Sequence, residues 1–152
     1  MKRIIYFKLN FIINMRQRIK FRIQMKLSEE QWKKKLTSKQ YHVLRERGTE
    51  LPFTGKFNNH REKGIYTCAA CGNRLFSSNS KYNSRSGWSS FFRPLLKENI
   101  KTKQDKSLFM NRTEVLCKVC GGHLGHVFSD GPKPTGKRYC INSAALDFKK
   151  DG

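Results

Sequence analysis

A chain of 152 residues has room for one hydrophobic core, and 37% hydrophobic content with 11 Phe and 2 Trp excludes a disordered polymer. The formal charge of +21 is spread along the chain: residues 1–24 hold seven of the 32 bases and no acid, leaving 25 bases against all 11 acids. A surface of that sign suits nucleic acid, acidic membranes or plain solubility, and speaks to contacts rather than fold. Five cysteines, an odd number with two C-x-x-C pairs, argue against a disulfide framework. They fit a metal site plus one free thiol in a reducing compartment such as the cytoplasm.

Residues 1–24 read as a basic extension ahead of a domain at 25–150. The apolar run from Ile4 to Ile13 is broken by Lys8 and Asn10. It falls short of the ~20 apolar residues that a membrane span needs. It has no small-residue cleavage site and little serine, so a mitochondrial presequence and a dispensable extension both stay open.

Two helix starts follow. Ser28 with Gln31 forms a capping box flanked by Leu27 and Trp32, and Thr37 with Gln40 repeats it between Leu36 and Tyr41. The second helix is expected to run to about Glu46 and stop at Gly48. From Gly64 the segments "GIYTCAAC", "SLFMNRTEVLCKVC", "HLGHVF" and "RYCINSAALDF" are short and rich in aromatic and β-branched residues. Turn formers separate them, which predicts a mainly β, antiparallel domain behind the helices. "SDGPKPTGK", residues 129–137, is an exposed loop leading into the last of these strands.

Cys68 with Cys71 and Cys117 with Cys120 form two knuckles 45 residues apart, each followed by glycine. A two-residue spacer turns both sulfurs of a pair to one ion, and four thiolates make a closed, structural zinc site; a redox-active C-x-x-C pair or unrelated cysteines are the alternatives. Cys140 stands alone. It is either a buried core cysteine or a reactive thiol, and its polar neighbours Arg138, Asn142 and Ser143 favour reactivity. On a strand, Arg138, Cys140 and Asn142 would share a face, and the cation would lower the thiol's pKa. His123 and His126 are available as proton donors or acceptors, with Asp130 close by in sequence. Trp88 lies in the Ser/Gly-rich stretch "SGWSSFF".

Taken together, "RYCINSAALDF", "HLGHVFSDGP", "SGWSSF", "RTEV" and "PFTGKF", in that company of knuckles, resemble the B-type methionine sulfoxide reductases from about Leu27 to Phe148. The resemblance implies two antiparallel β-sheets with peripheral helices, a structural zinc held by four cysteines, and reduction of the R epimer of methionine sulfoxide. It implies that Cys140 is the nucleophile and that Trp88 packs on the substrate methyl group. His123, His126, Asp130, Arg138 and Asn142 match family active-site positions. Oxidised proteins would be the substrates, and thioredoxin, or glutathione with glutaredoxin, the reductant of a monomer. Two departures stand out. Ser86 occupies the position where many members carry a resolving cysteine. Ser89 replaces a usual proline, which would loosen the Trp88 loop. A zinc-braced nucleic-acid-binding module is the rival reading. It leaves Cys140 and the two histidines without a purpose.

Overall fold

The computed structural model describes residues 27–152 together with residues 15 and 16, so the extension read at 1–24 lies almost wholly outside the described residues. Both capping boxes form. Helix α1 (Glu29–Lys35) is capped by Ser28 with Gln31, and α2 (Ser38–Leu44) by Thr37 with Gln40. Trp32, Leu36, Val43 and Leu44 are buried, and α2 packs on the sheet through that apolar face.

Helix α2 ends sooner than its sequence suggests. The residue that turns left-handed is Arg47 (φ 58°), and the Gly48 amide bonds back to the His42 carbonyl at 2.8 Å. Glycine is favoured for such a cap. Here an ion pair overrides that preference, because Arg47 donates twice to Glu114, at 3.0 and 2.9 Å.

Among the described residues, nine strands form two antiparallel sheets. The smaller has the order β2-β1-β9, from β1 (Gly64–Cys68), β2 (Arg74–Ser77) and β9 (Leu146–Lys150). The larger has the order β3-β4-β8-β7-β6-β5, from β3 (Lys81–Tyr82), β4 (Ser89–Phe91), β5 (Ile100–Asp105), β6 (Arg112–Cys117), β7 (His123–Phe128) and β8 (Arg138–Ile141). The expected architecture is therefore present. The sheets meet through aromatic rings: Phe91 of β4 stacks on Phe76 at 4.4 Å and meets Tyr66 edge-on at 5.1 Å.

Two segments depart from expectation. "SLFM" is not strand. Residues 107–109 form the β5–β6 turn, with Leu108 and Phe109 left-handed and exposed. Strand β5, "IKTKQD", has no apolar alternation and is exposed at residues 101–104; it is a strand because it pairs with β6 along its whole length.

Strands β6, β7 and β8 set the site. His126 lies opposite both Glu114 of β6 and Cys140 of β8. A bulge between Val115 and Leu116 sets His123 opposite Leu116, so Leu124 is the extra residue of β7. Residues three apart on a regular strand face opposite ways, and one extra residue restores the same face. The bulge thus explains why the His123 and His126 rings meet, 5.4 Å apart. Gly125 lies between them, where a Cβ would come within 2.0 Å of the Cys140 carbonyl oxygen. Gly125→Ala is expected to force β7 from β8, lowering stability by ~1–3 kcal/mol and the melting temperature by roughly 3–10 °C. Thermal unfolding that matched the parent would contradict this close approach.

Candidate metal centre and thiol site

The four paired cysteines converge. Cys68 ends β1, Cys117 ends β6, and the sulfurs of Cys68, Cys71, Cys117 and Cys120 all lie within 4.8 Å of one another. Each knuckle is closed by a backbone bond, Gly72 to Cys68 at 2.8 Å and Gly121 to Cys117 at 2.9 Å. Gly72 and Gly121 are left-handed (φ 77° and 71°), which a residue with a Cβ adopts at a cost. Asn73 donates its amide N–H to the Cys117 sulfur at 3.5 Å. Sulfurs this close cannot all ionise unaided. Hydrogen bonds from Cys120, Cys68 and Cys71 hold Cys117 far below the usual thiol range, while bonding to Cys117 drives Cys68 far above it. A cation resolves the conflict, and the four cysteines are placed to hold one metal ion. The all-sulfur, four-donor set is of the kind that zinc takes.

Cys140 lies outside this cluster. It is the third residue of β8, partly buried, with Ser90 of β4 opposite on one side and His126 of β7 on the other. Directly opposed residues bring their Cβ atoms about 5 Å apart. Burial pushes the Cys140 thiol up; Arg138 and a hydrogen bond from Ser86 pull it down without winning. The expected influence of Arg138 has the right sign, but desolvation outweighs it. Arg138 is itself engaged, gripping Asp130 through two bonds of 2.9 and 3.0 Å and stacking over the Phe128 ring at 4.4 Å.

Each imidazole is held by a carboxylate. The His126 Nε2 meets Asp105 Oδ2 at 2.8 Å. Asp105 also accepts from Ser107, through its hydroxyl at 2.7 Å and amide at 3.0 Å, and from Arg112 at 3.2 Å. The Ser107 hydroxyl first, then His126, hold the Asp105 carboxyl well below the usual range. An ionised carboxylate can only accept, so His126 Nε2 carries the hydrogen and Nδ1 is the nitrogen left for other partners. The His123 Nδ1 meets Glu114 at 2.8 Å, and Glu114 is in turn bound by Arg47. Burial pushes the His123 pKa down against the pull of Glu114, keeping that ring neutral. Its Nε2 is buried and has no hydrogen-bond partner among the described residues.

Glu50 ties the remaining pieces together. Its carboxylate accepts from the amides of Ser143 and Ala144 at 2.8 and 3.1 Å, just past Cys140 in the chain. Its carbonyl accepts from the half-exposed Trp88 indole at 3.1 Å, and its amide donates to Asn142 at 3.1 Å. Asn142 is buried and also donates to the Leu124 carbonyl at 3.1 Å, so its side chain is spent on backbone anchoring. Ser86, Ser84 and Ser90 form a hydroxyl chain with 2.7 Å links beside the thiol. Ser89 starts β4, is fully buried, and meets the Ser143 hydroxyl at 3.3 Å. Asp105, Glu114, Arg47, Arg112 and Glu50 escaped the sequence reading. Glu114 stood within "RTEV", where an acid amid strand formers was the available signal.

No helix among the described residues is long and apolar enough to cross a membrane. Fold and site define a mainly β protein that carries a four-cysteine metal cluster and, apart from it, a single thiol framed by two carboxylate-bound imidazoles. Residues 36–150 match the SelR domain. The chain is similar to the peptide methionine sulfoxide reductase MsrB of Methanosarcina barkeri, 60% identical over 82% of this chain and 87% of that protein. It is similar to MsrB of Leptospira interrogans, 57% identical over 82% of this chain and 95% of that protein. It also resembles the chloroplastic peptide methionine sulfoxide reductase B1 of Oryza sativa, 54% identical over 82% of this chain and 58% of that protein. The chain belongs to the SelR-domain family of MsrB methionine sulfoxide reductases.

Two outcomes test the geometry. Metal analysis is expected to find one ion per chain, and Cys117→Ser to lose it and lower the melting temperature by ~10 °C or more. Cys140→Ser should leave both unchanged. Alkylation of Cys140 is expected to accelerate as pH rises, with a midpoint above that of a free cysteine. Ser86→Ala removes a donor to the thiolate, so its midpoint should move higher still; an unmoved or lower midpoint would refute that contact.

Proposed function

We propose that this protein reduces methionine sulfoxide in proteins, acting on the R epimer, with Cys140 as nucleophile. The observation that carries the reading is the register of β7 on β8, which sets the partly buried Cys140 beside His126. The thiolate attacks the sulfoxide sulfur and forms a sulfur–sulfur bond. The sulfoxide oxygen leaves only once protonated, so an acid must stand within hydrogen-bonding reach. His126 fills that role better than His123. The Asp105 carboxylate fixes its Nε2 as a donor, which leaves Nδ1 as the atom through which a proton passes to the sulfoxide oxygen. The neutral His123 instead offers its unpartnered Nε2 as an acceptor. The protonated oxygen then passes as a hydroxyl from the substrate sulfur to the Cys140 sulfur as the sulfur–sulfur bond breaks, so methionine departs, Cys140 is left as a sulfenic acid, and one thiol is oxidised as one sulfoxide is reduced. The raised thiol pKa makes the thiolate scarcer at neutral pH but more nucleophilic.

Trp88, fixed through Glu50, offers an apolar face for the substrate methyl group. Arg138 with Asp130 borders the nucleophile, and Asn142 anchors the end of its strand. The metal is zinc, held by Cys68, Cys71, Cys117 and Cys120, and it braces β1 against β6 rather than reacting.

With four cysteines at the metal, Cys140 has no resolving partner among the described residues. An external thiol therefore condenses with the sulfenic acid, releasing water, and a second thiol reduces the mixed disulfide. Thioredoxin or glutathione with glutaredoxin fits, as does a reducing compartment, the cytoplasm or an organelle. The role is repair of oxidised proteins by the 25–150 domain.

The test is turnover of the R and S sulfoxides of a blocked methionine with each thiol donor. Only the R epimer should react, and Cys140→Ser should lower the rate by at least ~10³-fold with fold and metal intact. Without reductant, mass spectrometry should find a sulfenic acid on Cys140 and no internal disulfide. Ser86→Cys should create one, because Ser86 belongs to the hydroxyl chain that ends on Ser90, opposite Cys140. An internal disulfide in the parent protein would refute the single-thiol cycle.

A further inference from the structure

Leu51 and Phe53 are 72% and 69% exposed, unusual for large apolar side chains so close to a reactive site. A single exposed leucine needs no explanation, but an apolar patch at the mouth of a site does. This one is firmly mounted. The Phe53 amide donates to the Gly87 carbonyl at 2.7 Å, and the Leu51 carbonyl accepts from the Thr54 hydroxyl at 2.7 Å. Phe53 is held left-handed (φ 65°), a conformation that disfavours a bulky residue. Gly87 permits the approach, since a Cβ there would come within 2.7 Å of Pro52 and 3.0 Å of the Phe53 nitrogen. Next in the chain, the Glu50 carbonyl accepts from the Trp88 indole. The shelf is therefore riveted to the loop carrying Ser86 and Trp88, and Ser86 is linked through the Ser84 hydroxyl to Ser90, which pairs with Cys140 on the neighbouring strand.

We propose that Leu51 and Phe53 form a docking rim for the substrate polypeptide next to its oxidised methionine, selecting apolar residues there. This deepens the reductase reading and rests on it. A methionine in a chain brings its neighbours with it, and residues one or two positions along an extended segment lie about 3–7 Å away. The Phe53–Gly87 bond sets the rim next to the loop that carries Ser86 and Trp88, beside the thiol site. The rim segment, residues 51–57, holds no acid and one base, Lys56, and exposed Arg85 lies across the loop. On a chain of net charge +21, a lysine beside the methionine sulfoxide meets repulsion, whereas leucine or phenylalanine buries apolar area on the rim.

The experiment compares kcat/KM for short peptides whose methionine (R)-sulfoxide is flanked by Leu and Phe, by Gly, or by Lys, with the blocked amino acid as control. The parent protein is expected to prefer the apolar flank over Gly by ~10-fold, chiefly through KM, and Gly over Lys. In Leu51→Ser and Phe53→Ser, made separately, the ratio of apolar-flanked to Gly-flanked turnover should fall toward one. Equal turnover of the two peptides by the parent, or a ratio kept in both variants, would overturn the rim while turnover of the blocked amino acid upholds the reductase reading. No turnover of any substrate would sink both. A concentration-dependent dimer that Leu51→Ser dissolves would assign the rim to a second copy of this chain, and overturn the proposal.

Discussion

The pairing of β7 with β8 is the constraint on which the site depends. It sets His126 opposite Cys140, and it works because Gly125 lets the two backbones close where any side chain would strike the Cys140 carbonyl. The bulge across β6 then turns His123 to the face that His126 occupies. A one-residue slip of either strand would send these side chains to opposite faces. The metal cluster supports that register from a distance. It joins the ends of β1 and β6, so the small sheet and the large one are tied at the edge of the strand that carries Glu114.

Electrostatics then differentiates two chemically identical rings. Both imidazoles face a nearly sealed carboxylate, but Glu114 is shared between His123 and Arg47, whereas Asp105 shares its charge among Ser107, Arg112 and His126. Desolvation holds the His123 pKa down, and His126 is the less enclosed of the two rings, 13% exposed against 2%. Pairs of like groups driven apart by environment are how one site assigns donor and acceptor roles. Arg47 shows what such a network requires of the backbone: it accepts a left-handed conformation at the end of α2 so that its guanidinium can reach Glu114.

Much of this was legible locally. Helix starts depend on a side chain meeting an amide three residues on, so Ser28, Gln31, Thr37 and Gln40 announced themselves and both boxes formed. C-x-x-C spacing encodes a turn, so the metal cluster was readable as well. Interactions that cross the chain were not. Strand β5 has no pattern of its own and exists through its partner, while "SLFM" has a strand's composition and forms a turn. Glu50 looked like one more loop acid, yet its carboxylate spans 93 positions to reach Ser143.

The sequence by itself determined the mainly β class, the capped helices, the four metal-binding cysteines and the identity of the unpaired thiol, because each is carried by residue type and short spacing. Tertiary structure alone decided which side chains meet: the bulge that turns two histidines one way, the carboxylates that hold them, the left-handed Arg47, and the balance that raises the Cys140 thiol despite its neighbouring arginine. Desolvation and cross-strand register depend on what the rest of the chain places nearby, and no local stretch of residues contains that information.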